Sequence, residues 1–123
     1  MILPKTKGIY VADVQEIMPH RKTKHCVCLA IGDCGRFVAI NTDSRPEYGE
    51  LKINASDYTF LKGVDRFILY EKIFTLAPND LLKKVGELSD ADVKTLYVKI
   101  EKNRKILVED KEVILEELKK TFK

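Results

Sequence analysis

The chain has 123 residues, 45% hydrophobic and 33% charged, a length and balance that suit one folded domain and exclude a disordered segment or two well-filled cores. Its apolar runs fall well short of the roughly 20 residues a membrane span needs, and MILPKTKGIY lacks the apolar core of a secretory leader; no membrane association and a cytoplasmic location are expected. A net charge of +3 does not by itself mark a nucleic-acid binder, but residues 1–25 hold Lys5, Lys7, Arg21, Lys22 and Lys24 against only Asp13 and Glu16.

After Gly8, the β-branched and aromatic run Ile9 to Val14 predicts a first strand. Met18 to Lys24 is polar, carries Pro19 and predicts a loop. The apolar run Cys26 to Ile31 predicts a buried second strand, and GDCG turns the chain into a third over Arg36 to Asn41, giving an antiparallel hairpin. TDSRPEYGE reads as a surface loop leading to a short strand over Leu51 to Asn54. Arg66 to Tyr70 and Lys72 to Leu76 supply the last strands, and a strand about every ten residues points to a small barrel or sandwich.

Beyond Pro78 the pattern changes. Asp80 to Val85 fits one or two helical turns ending at Gly86. Ser89 is placed to cap a helix, with Asp90 and Asp92 in its first turn and Val93, Leu96, Tyr97 and Ile100 on one face. A further helix is expected at 108–122, with Ile114, Leu118 and Phe122 sharing a face. The expected fold is therefore mainly β with helices at the C-terminal end, an α+β domain spanning 1–123. Within it 8–76 is the β portion, 78–103 a short helix plus a packing helix, and 108–122 an added helix.

Chemistry can be sought in two polar stretches. PHRKTKH, residues 19–25, abuts the apolar strand CVCLAI, so a cationic loop would be held at the mouth of a rigid element. Thr42-Asp43-Ser44 ends the third strand, and in an antiparallel hairpin the loop before one strand and the loop after the next share one end. The plain readings are a solvated basic turn, an ordinary turn opener and a histidine capping a strand edge. Cys26, Cys28 and Cys34 are an odd set, which argues against a disulfide framework. Cys26 and Cys28 fall on one face of a strand, whereas zinc prefers loop-borne knuckles, so packed thiols and no metal are expected.

The order of these stretches resembles the MazF/PemK/Kid family of toxin endoribonucleases. The similarity lies in HRKTK leading into CVCLAI, in RFVAINTDS, in DRFILYEKIFTL and in LLKKVGELSDADVKTLYVKI, together covering about residues 8–103. The chain departs from the family pattern in reading KGIYVADV and TKHCV where Gly-Asp and Arg-Pro are common, and in lacking a proline within AINTDS, which leaves both Thr42 and Ser44 eligible.

The resemblance implies a small SH3-like barrel and metal-independent cleavage of single-stranded RNA without a cofactor. It implies a homodimer restrained by an antitoxin or inhibitor protein. On this reading Arg21 clamps the phosphate, because a guanidinium fork matches phosphate oxygens, and Thr42 orients it. His25 or His20 accepts the proton, an imidazole titrating near neutrality, with His25 favoured as the better held. His20, Lys22, Lys24, Ser44, Arg45 and Tyr48 complete the expected RNA surface, Tyr48 as a stacking platform. The rival readings are a non-catalytic SH3-like binding module of phage or mobile-element origin and a gyrase-targeting toxin of the CcdB type.

Overall fold

The computed structural model of the chain describes residues 1–15 and 23–122. Among the described residues seven strands come first: β1 (Gly8–Asp13), β2 (Thr23–Ala30), β3 (Gly35–Asn41), β4 (Glu50–Ile53), β5 (Arg66–Leu69), β6 (Phe74–Leu76) and β7 (Leu81–Glu87). Two helices, α1 (Asp90–Lys102) and α2 (Val108–Lys120), follow. The fold is mainly β, α+β, with both helices C-terminal, as the sequence predicts.

The antiparallel sheet runs in the order β4-β5-β3-β2-β1-β7, and β6 also pairs with β3. β5 bonds to Ile40 and Asn41 at the end of β3, whereas β6 bonds to Gly35 through Phe37 at its start. One strand thus serves two successive partners, and the sheet curls. It does not close: β4 and β7 stand at opposite ends of the strand order and share no ladder among the described residues.

Curling explains why CVCLA is apolar at every position. Val27 and Leu29 point to the main core, which also takes Ile9, Val38, Ile40, Ile68, Val93, Leu96, Ile100, Ile114 and Leu118. Cys26 and Cys28 point the other way into a smaller cluster with Tyr10, Ala12, Phe37, Leu76 and Leu81. A strand buried on both faces loses the polar alternation of a half-wet one.

The expected helical turns at Asp80 to Val85 do not form; Leu81–Glu87 is β7, paired with β1. A 3₁₀ turn at Pro78–Asp80, in which the Ala77 amide donates to Asp80 Oδ2 at 2.8 Å, ends before any helix can propagate. The open edge of β1 then pairs with Leu81, Lys83, Lys84, Gly86 and Glu87, a ladder that an isolated helical turn could not match. Thr23 and Lys24, expected in a loop, are already strand, opposite Asp13 and Ala12.

The helices follow their sequence signals closely. The Ser89 hydroxyl accepts from the Asp92 amide at 3.2 Å, the expected cap. Val93, Leu96 and Ile100 are buried, and α2 seats Ile114 and Leu118 in the same core. Phe122 is more exposed than its stripe suggests and meets Tyr97 edge-on, centroids 5.2 Å apart. No helix among the described residues is long and apolar enough to cross a membrane.

Candidate functional site

A polar cleft of about 80 Å³ opens where β2 begins, β3 ends and β5 begins, lined by Thr23, Lys24, His25, Ile40, Asn41, Thr42 and Arg66. Register alone brings these residues together. β2 and β3 pair Cys26 with Ala39, and β3 and β5 pair Asn41 with Phe67. One step further along the second ladder, Thr42 faces Arg66. The Arg66 Nη1 donates to the Thr42 hydroxyl at 3.1 Å.

Across the first ladder, Lys24 Nζ donates to Asn41 Oδ1 at 2.8 Å, and Asn41 Nδ2 donates to the Asp43 carbonyl at 2.9 Å. The amide is thereby fixed in orientation between a strand and the turn that follows it.

No carboxylate lines the cleft among the described residues. Asp65, next to Arg66 in sequence, is turned away: its Oδ1 accepts from the Ala55 amide at 2.7 Å and its Oδ2 lies 3.5 Å from Lys52 Nζ. The Arg66 Nε is buried and has no hydrogen-bond partner. A guanidinium whose fork is only partly used, beside a second cation and away from acids, is a ready oxyanion ligand.

His25 stands at the rim of the main core, its ring 5.0 Å from that of Phe60 and tilted by 35°. Burial first, then the charges of Arg66 and Lys62, pull its pKa below the ordinary 6.5. The shift favours the uncharged imidazole.

Of the residues singled out from sequence, the structure brings together Lys24, His25 and Thr42. Arg21, His20 and Lys22 fall outside the described residues. Ser44, Arg45 and Tyr48 are not in the cleft lining. The Ser44 hydroxyl donates to the Glu50 carboxylate at 2.7 Å, and the Arg45 amide donates to the same carboxylate at 2.7 Å. The Tyr48 ring carries the Lys72 ammonium 3.8 Å above its centroid. Between Thr42 and Ser44, only Thr42 enters the cleft.

Arg66, Asn41, Thr23 and the apolar Ile40 are the cleft residues that sequence reading missed. Arg66 opens the run RFILY, and a basic residue at the mouth of a strand was its one available signal. Among the described residues the thiols belong to no group of three or more His, Cys, Asp or Glu side chains that could hold a metal ion. Cys26 and Cys28 are buried with Sγ directed at the Lys24 and Ala30 carbonyls, and burial pushes each pKa up to about 12.

No family model matches the chain, and no curated protein matches it either.

Proposed function

We propose that the chain is a MazF-like endoribonuclease that cuts single-stranded RNA without a metal. One observation carries the reading: Thr42, Arg66 with its unused Nε, and His25 line a single cleft that has no carboxylate among its described lining residues. A cleft lined by Arg66 and Lys24 selects an anion. Its volume of about 80 Å³ suits one phosphoryl group; pockets that swallow a whole drug-sized ligand run to roughly 300–1,000 Å³. An RNA strand would enter it through one phosphate at a time, with its bases outside.

The chemistry needs four services. The 2′-hydroxyl loses its proton to His25 as the 2′-oxygen attacks phosphorus, and the bond to the 5′-oxygen breaks, leaving a 2′,3′-cyclic phosphate and a free 5′-hydroxyl. Arg66 and Lys24 stabilise the charge that grows on the non-bridging oxygens, commonly the largest single contribution. The Thr42 hydroxyl, already held by Arg66, orients the phosphate. The resemblance gives Arg21 two parts, clamping the phosphate and supplying the leaving oxygen with its proton; restraint by an antitoxin rests on the resemblance too, and a cytoplasmic setting follows the short apolar runs of the sequence.

The test is incubation of the purified protein with a long RNA in EDTA. Cuts that leave cyclic phosphate and 5′-hydroxyl ends, slowed about 10²- to 10³-fold in Arg66→Ala, bear the reading out. Intact RNA that is nonetheless retained would replace it with a non-catalytic binding module. Neither cutting nor retention would overturn both.

A further inference from the structure

A short turn stands against the cleft from outside its lining. The 3₁₀ turn Thr59–Leu61 sets the Phe60 ring 5.0 Å from that of His25, and Tyr58 meets the same ring edge-on, centroids 5.9 Å apart. Tyr58 is tied down in its turn: its hydroxyl donates to the Asp92 carboxylate and accepts from the Ser89 amide at 3.0 Å, both at the start of α1. The turn is thus held between α1 on one side and His25 on the other.

Lys62 closes that turn, its amide donating to the Thr59 carbonyl at 3.2 Å. It takes the left-handed conformation, φ 53° and ψ 43°, which a residue with a Cβ enters only at a cost and which glycine would fill freely. Its side chain is exposed, so packing does not call for a lysine there. Asp65, three residues on, does not neutralise it, being engaged by the Ala55 amide and by Lys52. The Lys62 charge is felt instead at His25, where it adds to burial and to Arg66 in disfavouring the imidazolium.

Cations from three elements are therefore gathered about one site: Arg66 from the start of β5, Lys24 from the start of β2 and Lys62 from the turn before β5. The first two line the cleft and Lys62 does not. A space of about 80 Å³ takes one phosphoryl group, which those two already meet. A third cation beside the cleft is placed for the next phosphate along a chain.

We infer that Lys62 holds the phosphate adjacent to the one in the cleft, so that the strand leaves past the Phe60 ring and the site recognises a run of phosphates. The inference rests on the ribonuclease reading for the polymer that enters. Lys62 binds and takes no part in bond making.

A lost phosphate contact has a signature in salt. For single strands log K falls with log salt by about 0.7 per phosphate neutralised, so one contact is worth about threefold in affinity between roughly 50 and 200 mM. Filter binding of a 2′-fluoro RNA oligonucleotide, which lacks the attacking hydroxyl, reads this without cleavage. The slope for Lys62→Gln should be shallower than the native one by about 0.7, and Lys62→Arg should restore it. Lys52→Gln removes an equal charge from the other face of the sheet, since Ile53, not Lys52, pairs with Arg66, and it should leave the slope unchanged. On long RNA, Lys62→Gln should raise KM about threefold and leave kcat as it was. Thermal melts check that each variant is folded.

A native chain that retains or cuts RNA, with Lys62→Gln indistinguishable from it or Lys52→Gln equally impaired, overturns this inference and leaves the ribonuclease reading standing. So does a Lys62→Gln variant whose pH profile of cleavage shifts while its salt slope stays native, because Lys62 would then act only on His25. A native chain that neither retains the oligonucleotide nor cuts long RNA overturns both.

Discussion

Arg66 reaches across the β3–β5 ladder to donate from Nη1 to the Thr42 hydroxyl at 3.1 Å, while Nε of the same guanidinium is buried and unpartnered. A buried donor left unmade typically costs about 1–3 kcal/mol. Arg66→Met should therefore leave stability unchanged or slightly raised while abolishing RNA retention. Arg66→Lys, a point charge without the fork, should retain RNA only partly. Filter binding beside chemical denaturation separates the two effects; a large loss of stability in Arg66→Met would show the residue to be structural.

His25 gives the protein a pH signature. Its folded pKa is depressed below 6.5 by burial and then by Arg66 and Lys62, so the unfolded chain takes up the proton first as pH falls. The contribution to stability is fully present above about 6.5 and is lost as pH falls below that value through the folded pKa. Between pH 7.5 and 5 the native chain should lose more Tm than His25→Gln. Parallel melting curves for the two proteins would remove this role.

Thiol chemistry should single out one cysteine. Cys26 and Cys28 are fully buried, with pKa values pushed up to about 12, and the thiolate is the reactive form. Cys34, in the β2–β3 turn, is partly exposed. Iodoacetamide at pH 8 should add once to the native protein, on Cys34, and three times in denaturant, as read by peptide mass spectrometry. Rapid native labelling of Cys26 or Cys28 would mean that the smaller core opens readily.

Arg36 ties the hairpin to α2. It is 8% exposed and pairs with Asp110 at 2.8 Å and Asp33 at 2.9 Å. Both contacts raise its already high pKa, Asp110 more than Asp33. Because Asp110 is the better buried partner, Asp110→Ala should destabilise by about 1–3 kcal/mol, and Asp33→Ala by clearly less. Urea unfolding of Arg36→Met/Asp110→Leu should recover most of the loss, since an apolar pair of similar volume can replace a buried ion pair.

The second helix is part of the core. Ile114 and Leu118 are fully buried among Ile9, Leu29 and Leu96. Ile114→Ala should cost about 2–5 kcal/mol, the range for removing a buried branched side chain. A change under about 0.5 kcal/mol, the range of surface substitutions, would place α2 outside the cooperative unit.

What the sequence determined by itself was local. Apolar runs set β1 to β3, because a strand buried on both faces must be apolar at every position. Ser89, Asp90 and Asp92 set the start of α1, because capping is chemistry between residues three apart. The spacing of Thr42 from the turn GDCG placed it at the end of a hairpin strand, beside the start of β2. Tertiary structure decided the rest. LLKKV matches a helical period as well as a strand, and only the open edge of β1 makes it β7. Arg66 lies 24 residues beyond Thr42 in the chain and meets it solely because β5 takes the upper half of the β3 edge and β6 the lower. Thr42 and Ser44 look alike in sequence, yet one faces that guanidinium and the other is held by Glu50. Periodicity encodes which face a residue takes; strand register, a pairing between distant segments, encodes what it meets there.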